Sequence, residues 1–208
     1  VRQELNPVEP EELTLEEGAY LVRKARESVE TAFKGERPNI KDSPPKLMRP
    51  GAPFVTIYIM KRGFKELRGC IGYIAHVEPL IKATVEVARE AAFNDPRFPP
   101  LTLKEYPVTI FEVSVLSELK PMPEDPDERL KFVKIGKMGL MAKRGFLSGL
   151  LLPQVAVEEG WDEKTFLENT CLKAGLEYDC WMDGETQFYY FVARVFEEKE
   201  SFGEVVES

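Results

Sequence analysis

Histidine occurs once in this sequence, at His76, and cysteine three times, at Cys70, Cys171 and Cys180. A lone histidine with no closely spaced cysteine pair leaves too few ligands for a zinc site, so neither a metal nor a cofactor is expected. Three cysteines are also too few, and odd in number, for a disulfide framework, which points to reduced thiols and a cytoplasmic setting. No apolar run reaches the roughly 18 residues a membrane-spanning helix needs. The opening Val1-Arg2-Gln3-Glu4-Leu5 lacks the apolar stretch of a secretory signal. There is no repeat or low-complexity tract, and neither a P-loop nor a Gly-x-Gly-x-x-Gly pattern to cradle nucleotide phosphates. Asn and Gln together total only seven, while Lys and Glu are plentiful. That bias is characteristic of proteins that work hot, and a thermophilic source is expected.

What is present is an ordinary globular composition, 43% hydrophobic and 31% charged over 208 residues. That length suffices for one well-buried core or two joined lobes. The net charge of −8 is uneven. Residues 1–36 and 195–208 each carry −4, and the stretch between them is neutral. Within it, residues 41–68 hold seven basic side chains against two acids, and residues 129–157 hold six and no acid. Overall acidity argues against non-specific nucleic-acid binding, which depends on neutralising many phosphates.

Periodicity and punctuation define the elements. Thr14-Leu15-Glu16-Glu17 is a capping box, and it predicts a helix with Leu15, Ala19, Val22, Val29 and Phe33 on one face. The proline-rich residues 38–53 read as a surface connection. Residues 54–60 and 66–74 read as antiparallel strands turned at Lys61-Arg62-Gly63. A helix follows from Leu80 to Phe93, stopped by Asp95-Pro96-Arg97-Phe98-Pro99-Pro100. Residues 109–116 form the clearest strand, with Phe111, Val113 and Val115 on one face. A loop is expected over 121–127, then short strands near 132–135, 139–143 and 147–152. Asp162 caps a helix running to Lys173, closed by Ala174-Gly175. One last strand is expected over 187–196. Hairpins outnumber βαβ units, so the fold class is α+β with mainly antiparallel sheets.

The segment Leu67-Arg68-Gly69-Cys70-Ile71-Gly72 concentrates the chemistry. Strand alternation places Arg68 and Cys70 on one face, about 7 Å apart. The guanidinium would favour a thiolate. Gly72 would leave space beside the thiol, and Gly69 would let another backbone approach the opposite face. Glu112, in the middle of an apolar strand, is a candidate general base or the partner of Arg68 or Arg97. Asp95 and Arg97 flank a proline in a rigid turn that can aim the arginine or pin the loop. Gln154 sits at a helix start whose free N–H groups attract anions. His76 could pair with Cys70 or simply face solvent.

Several further motifs stand in order along the chain. They are Ala91-Ala92-Phe93-Asn94-Asp95-Pro96-Arg97-Phe98-Pro99-Pro100-Leu101, Glu112-Val113-Ser114-Val115-Leu116, Leu151-Leu152-Pro153-Gln154-Val155-Ala156, Gly160-Trp161-Asp162 and Cys171-Leu172-Lys173-Ala174-Gly175. With the intact hexapeptide at 67–72, these segments resemble the AMMECR family over nearly the whole chain. Met138-Gly139-Leu140 stands where members of that family often have His-Gly-Leu, which removes a histidine role there. The resemblance implies a single α+β domain of two unequal lobes, with both chain ends in the larger and the hexapeptide near the cleft between them. It implies no particular reaction. It brings Memo-like and radical-SAM proteins as neighbours or fusion partners, and nucleic-acid roles have been suggested for the family. Three functions follow as expectations. The first is a binding or adaptor module for an anionic ligand or protein partner, contacted by Arg68, Gly69, Gly72, Asp95, Arg97, Gln154 and Lys173. The second is an enzyme in which Cys70 attacks, Arg68 holds an anionic group and Glu112 moves a proton. The third is nucleic-acid association, which the acidity disfavours.

Overall fold

Reciprocal capping starts the first long helix. Thr14 accepts the Glu17 N–H at 3.1 Å while the Glu17 carboxylate accepts the Thr14 N–H at 2.9 Å, and α1 runs Leu15–Ala32. Ala19, Leu21, Val22, Ala25 and Val29 are buried, whereas Leu15, expected on that face, is exposed in the first turn. In the computed structural model, which describes residues 6–208, the opening pentapeptide considered for a signal lies outside the described residues. The proline-rich connection is less superficial than expected: a 3-10 turn at Pro45–Met48 buries Leu47 completely.

Strands β1 (Ala52–Lys61) and β2 (Phe64–Gly72) form a hairpin. Its turn residues Arg62 and Gly63 have φ of 51° and 83°, the left-handed pair that a two-residue hairpin turn requires. Helix α2 (Leu80–Phe93) and strand β3 (Thr109–Leu116) follow as expected. Beyond them come β4 (Lys120–Pro121), α3 (Pro126–Phe132), β5 (Gly139–Arg144), β6 (Leu147–Leu151), α4 (Pro153–Glu158) and α5 (Glu163–Lys173). The chain closes with β7 (Gln187–Phe191), β8 (Ala193–Glu198) and β9 (Val205–Glu207). Helix α3 takes the end of the expected loop, and no strand forms over 132–135. Asp125 accepts the Glu128 N–H at 3.0 Å and Pro126 occupies the first turn, both helix-start signals. The single strand expected over 187–196 is two strands in different sheets, and β9 lies in the acidic tail.

The sheets have orders β2-β1-β3-β8-β9 and β4-β7-β5-β6, with antiparallel pairing in both, so the α+β class holds. The chain separates into two compact units of unequal size. One is the chain through Glu118 with Arg194–Ser208, and the other is Leu119–Ala193. In the larger unit, Val55 and Ile57 of β1, Phe111, Val113 and Val115 of β3, and Phe196 of β8 pack against α1 and α2 on one sheet face. Arg26 of α1, itself buried, donates to both Glu198 oxygens at 2.6 Å and to the Thr109 carbonyl at 2.7 Å. Glu198 also accepts the Phe111 N–H at 2.9 Å. A buried charge pair is tolerable only with its remaining valences filled in this way.

In the smaller unit, Leu140 and Ala142 of β5 and Phe188 of β7 meet Ala156 of α4 and Phe166, Leu167 and Cys171 of α5. Cys171 is bonded to Cys180, which corrects the expectation of reduced thiols. After α5 the chain reverses at Gly175, φ 75°, and the Leu176 N–H returns to the Cys171 carbonyl at 3.0 Å. That reversal brings the turn Cys180–Met182 to the helix end. Disulfides inside cells are rare in mesophiles but common in hyperthermophiles. Among the described residues, Cys70 is the free cysteine.

Candidate functional site

Alternation along β1 sends Val55 and Ile57 to the helices and Phe54, Thr56 and Tyr58 to the other face. Thr56 lies opposite Cys70 on β2 and opposite Glu112 on β3. Cys70, Thr56 and Glu112 therefore form a row across three strands on the face turned away from the helices. The Thr56 hydroxyl donates to Cys70 Sγ at 3.3 Å. Thr56, Glu112 and Ser114 are all buried on this face, and Cys70 is half-buried.

Arg68 is not part of that row. Ile57 pairs with Gly69 and Tyr58 with Leu67, so Arg68 is the extra residue of a β-bulge. The register through the bulge puts Leu67, opposite Tyr58, on the Cys70 face and corrects the simple alternation. Arg68 instead donates from Nε and Nη2 to the two Glu105 oxygens at 3.0 and 3.1 Å. Glu105 also accepts from the Thr102 N–H and hydroxyl, both at 2.9 Å. The Arg68 hydrogen bonds, with those from Thr102, hold the Glu105 carboxyl at a pKa of about 2. Sequence reading did not single out Glu105. The available signal was Thr102-Leu103-Lys104-Glu105, which has the spacing of a capping box.

Asp95 and Arg97 guard the outer edge of β2, an edge strand of the first sheet. The Cys70 N–H donates to Asp95 Oδ2 at 2.9 Å, and Arg97 Nη2 donates to the Cys70 carbonyl at 3.3 Å. Arg97 Nη2 also donates to Asp95 Oδ2 at 2.8 Å, so one ion pair satisfies both edge groups. The Arg97 hydrogen bond, helped by the Cys70 and Arg97 backbone N–H groups, holds the Asp95 carboxyl at about 2. Gly69 allows α2 to cross β2, because a Cβ there would stand 2.0 Å from the Ala91 carbonyl oxygen. At Gly72 the expected space beside the thiol is occupied: a Cβ would stand 2.1 Å from the Phe54 ring.

Burial pushes the Cys70 thiol up, the Thr56 hydrogen bond and the Arg97 charge pull it down, and Glu112 and Asp95 push it up again. The net direction is upward, so the group is a thiol at neutral pH rather than the thiolate expected beside an arginine. His76 Nε2 donates to the Leu116 carbonyl at 3.0 Å. Gln154, half-buried in α4, and Lys173, exposed at the end of α5, belong to the smaller unit. Met138 is part of that unit's apolar core. Among the described residues, no group of His, Cys, Asp and Glu is arranged to hold a metal ion.

An antiparallel α+β protein with a buried polar row beside an arginine-bulged strand is the class these features define. The AMMECR1 family profile matches residues 22–196, and the chain belongs to that family. It is 45% identical over 196 residues to a protein of Pyrobaculum islandicum, covering 93% of this chain and 89% of that one. It is 47% identical over 206 residues to one of Thermofilum pendens, covering 94% and 96%. The crystal structure of uncharacterized protein PH0010 from Pyrococcus horikoshii is similar throughout, with a TM-score of 0.88 at 43% identity, covering 93% of this chain and 97% of that one. These relatives are from thermophilic archaea, in keeping with the amide-poor composition. Among the described residues, no helix is long and apolar enough to cross a membrane.

Proposed function

We propose that this protein is a cytoplasmic binding module for a protein partner, seated on exposed Leu67 beside the buried Cys70–Thr56–Glu112 row, rather than a thiol enzyme. The buried polar row carries this reading. Thr56 and Glu112 sit at central positions of a sheet whose other face is apolar, and burying polar groups there costs stability. Sites that break the local packing rule at such a cost are where function concentrates. Leu67, 40% exposed on the same face, supplies an apolar contact beside the row.

The charges around the thiol favour a protein surface over a small anion. Arg68 is matched by Glu105 and Arg97 by Asp95, so each guanidinium beside the thiol already has its carboxylate. An anionic ligand, the other occupant expected from sequence, would rest on Arg97, whose side chain is 52% exposed. Memo-like and radical-SAM proteins, the company the family resemblance implies, are the partners to try first.

The second reading keeps Cys70 as a nucleophile with Glu112 moving its proton, and the downward pull of Arg97 on the thiol favours it. Alkylation of Cys70 by iodoacetamide across pH separates the two. The binding reading expects slow reaction at neutral pH with a midpoint above the ordinary thiol value of about 8.5. It also expects Leu67→Asp to abolish binding of a purified Memo-like protein measured by calorimetry. Rapid alkylation at neutral pH would transfer the case to the enzyme.

A further inference from the structure

Immediately beyond β2 the chain borders a cavity of about 580 Å³, walled by Tyr73, Ile74 and Val77 and rimmed by Glu78 and Glu86. Its apolar wall is open to solvent, with Val77 77% exposed. The frame is fixed by backbone bonds: Tyr73 N–H to Pro53 at 3.0 Å, Gly51 N–H to Glu78 at 3.1 Å, and Leu80 N–H to Arg49 at 2.8 Å. A site held in this way needs little ordering to bind.

The rim of this cavity is acidic. Glu78, Glu86 and Glu90 all bear on the Tyr73 hydroxyl, adding to burial in pushing its pKa up. Lys82 is paired with Glu78 and lies 4.0 Å from Glu86. The rim carboxylates of Glu78 and Glu86 against the one ammonium of Lys82 leave an acidic rim over an apolar wall that includes Tyr73.

We propose that this cavity receives an arginine or lysine side chain from an extended segment of the protein partner. The aliphatic stem lies on Tyr73 and Val77, and the head group meets Glu86. This deepens the binding-module reading and rests on it, but it uses residues other than Leu67, Cys70 and Thr56. Leu67 and this cavity then act as two contacts for one partner.

The probe is a fluorescein-labelled Ala-Leu-Arg-Leu-Arg-Ala peptide, with Ala-Leu-Gln-Leu-Gln-Ala as its neutral match, followed by fluorescence anisotropy on the full chain. The arginine peptide is expected to bind, its neutral match not to, and added salt to weaken the complex. Glu86→Gln should weaken binding about tenfold, the loss of one charge-assisted hydrogen bond. Glu86→Lys should abolish it, with unchanged circular dichroism and melting showing that the variants fold. Leu67→Asp should leave peptide binding intact. Absence of peptide binding, or binding indifferent to Glu86, would overturn this inference while the Leu67-dependent partner contact stood. Spermine displacing the peptide at far lower concentration would assign the cavity to small amines and likewise overturn it.

Discussion

The Asp95 carboxylate stands 2.9 Å from the Cys70 backbone nitrogen and takes its N–H where a neighbouring strand would supply a carbonyl. Together with Arg97 on the Cys70 carbonyl, it finishes the edge of the sheet with side chains. Edge strands left open template unwanted pairing, and a charged cover blocks it.

Replacing Asp95 by Ala therefore strips a part-buried N–H of its acceptor and leaves Arg97 unmatched. A loss of about 2 kcal/mol is expected in guanidinium unfolding. Asp95→Asn, which keeps an acceptor, should lose roughly half as much. Exchange of the Cys70 amide with deuterium should accelerate in both. Wild-type stability for the alanine variant would mean that water replaces the carboxylate without loss.

Gly69 and Gly72 differ in what they face. Gly69→Ala drives a methyl into the Ala91 backbone carbonyl, which cannot rotate aside, and should cost about 3 kcal/mol or more. Gly72→Ala meets the base of the Phe54 ring, a side chain that a second substitution can remove. Adding Phe54→Ala, which removes the clashing Cγ, should restore much of the melting temperature lost in Gly72→Ala and none of that lost in Gly69→Ala. Equal rescue would show that α2 can shift away from β2.

The acid limb of stability should carry the signature of Asp95 and Glu105. Both carboxyls sit at about 2 in the folded chain, against ordinary values of 3.8 and 4.5. Between those limits the unfolded chain binds more protons. The stabilisation is thus complete above the ordinary values and lost as pH falls towards about 2. Guanidinium midpoints measured across this range should fall less steeply for Glu105→Gln than for the wild type. Parallel curves would show that Arg68 does not hold that carboxylate in solution.

Thiol titration of the denatured chain without reductant should find one reactive group, Cys70, and three after reduction. The Cys171–Cys180 bond closes a short loop, with a sequence separation of nine. Its reduction should lower stability by about 2–3 kcal/mol on chain-entropy grounds. Three thiols before reduction would show that the bond does not form.

The elements legible in the sequence were those with a strong period between clear punctuation. α2, β3 and α5 end where Pro, Gly and capping Asp place their limits, and the β1–β2 hairpin follows from its Arg62-Gly63 turn. The hexapeptide stood out because arginine, cysteine and glycine cluster in one strand. What stayed hidden depends on pairing rather than on any one segment. A bulge at Arg68 is a mismatch between two strands, so alternation read along β2 alone assigns Leu67 to the wrong face. Glu105 reaches Arg68 across 37 residues, a relation that periodicity does not carry. Likewise the run of strand-forming residues through 187–196 is unbroken, although the chain changes sheets between Phe191 and Ala193.

The order of the first sheet bears on synthesis as well as on stability. β3 is flanked by β1 and β8, and the whole smaller unit, Leu119–Ala193, is translated between them. A nascent chain emerging from the ribosome can therefore complete the inserted unit while β3 still waits for its second neighbour. During that interval Arg26 has no Glu198, and one side of the central strand is open to other chains. Ribosome-bound intermediates of this protein should be most prone to aggregation just before residue 198 clears the exit tunnel.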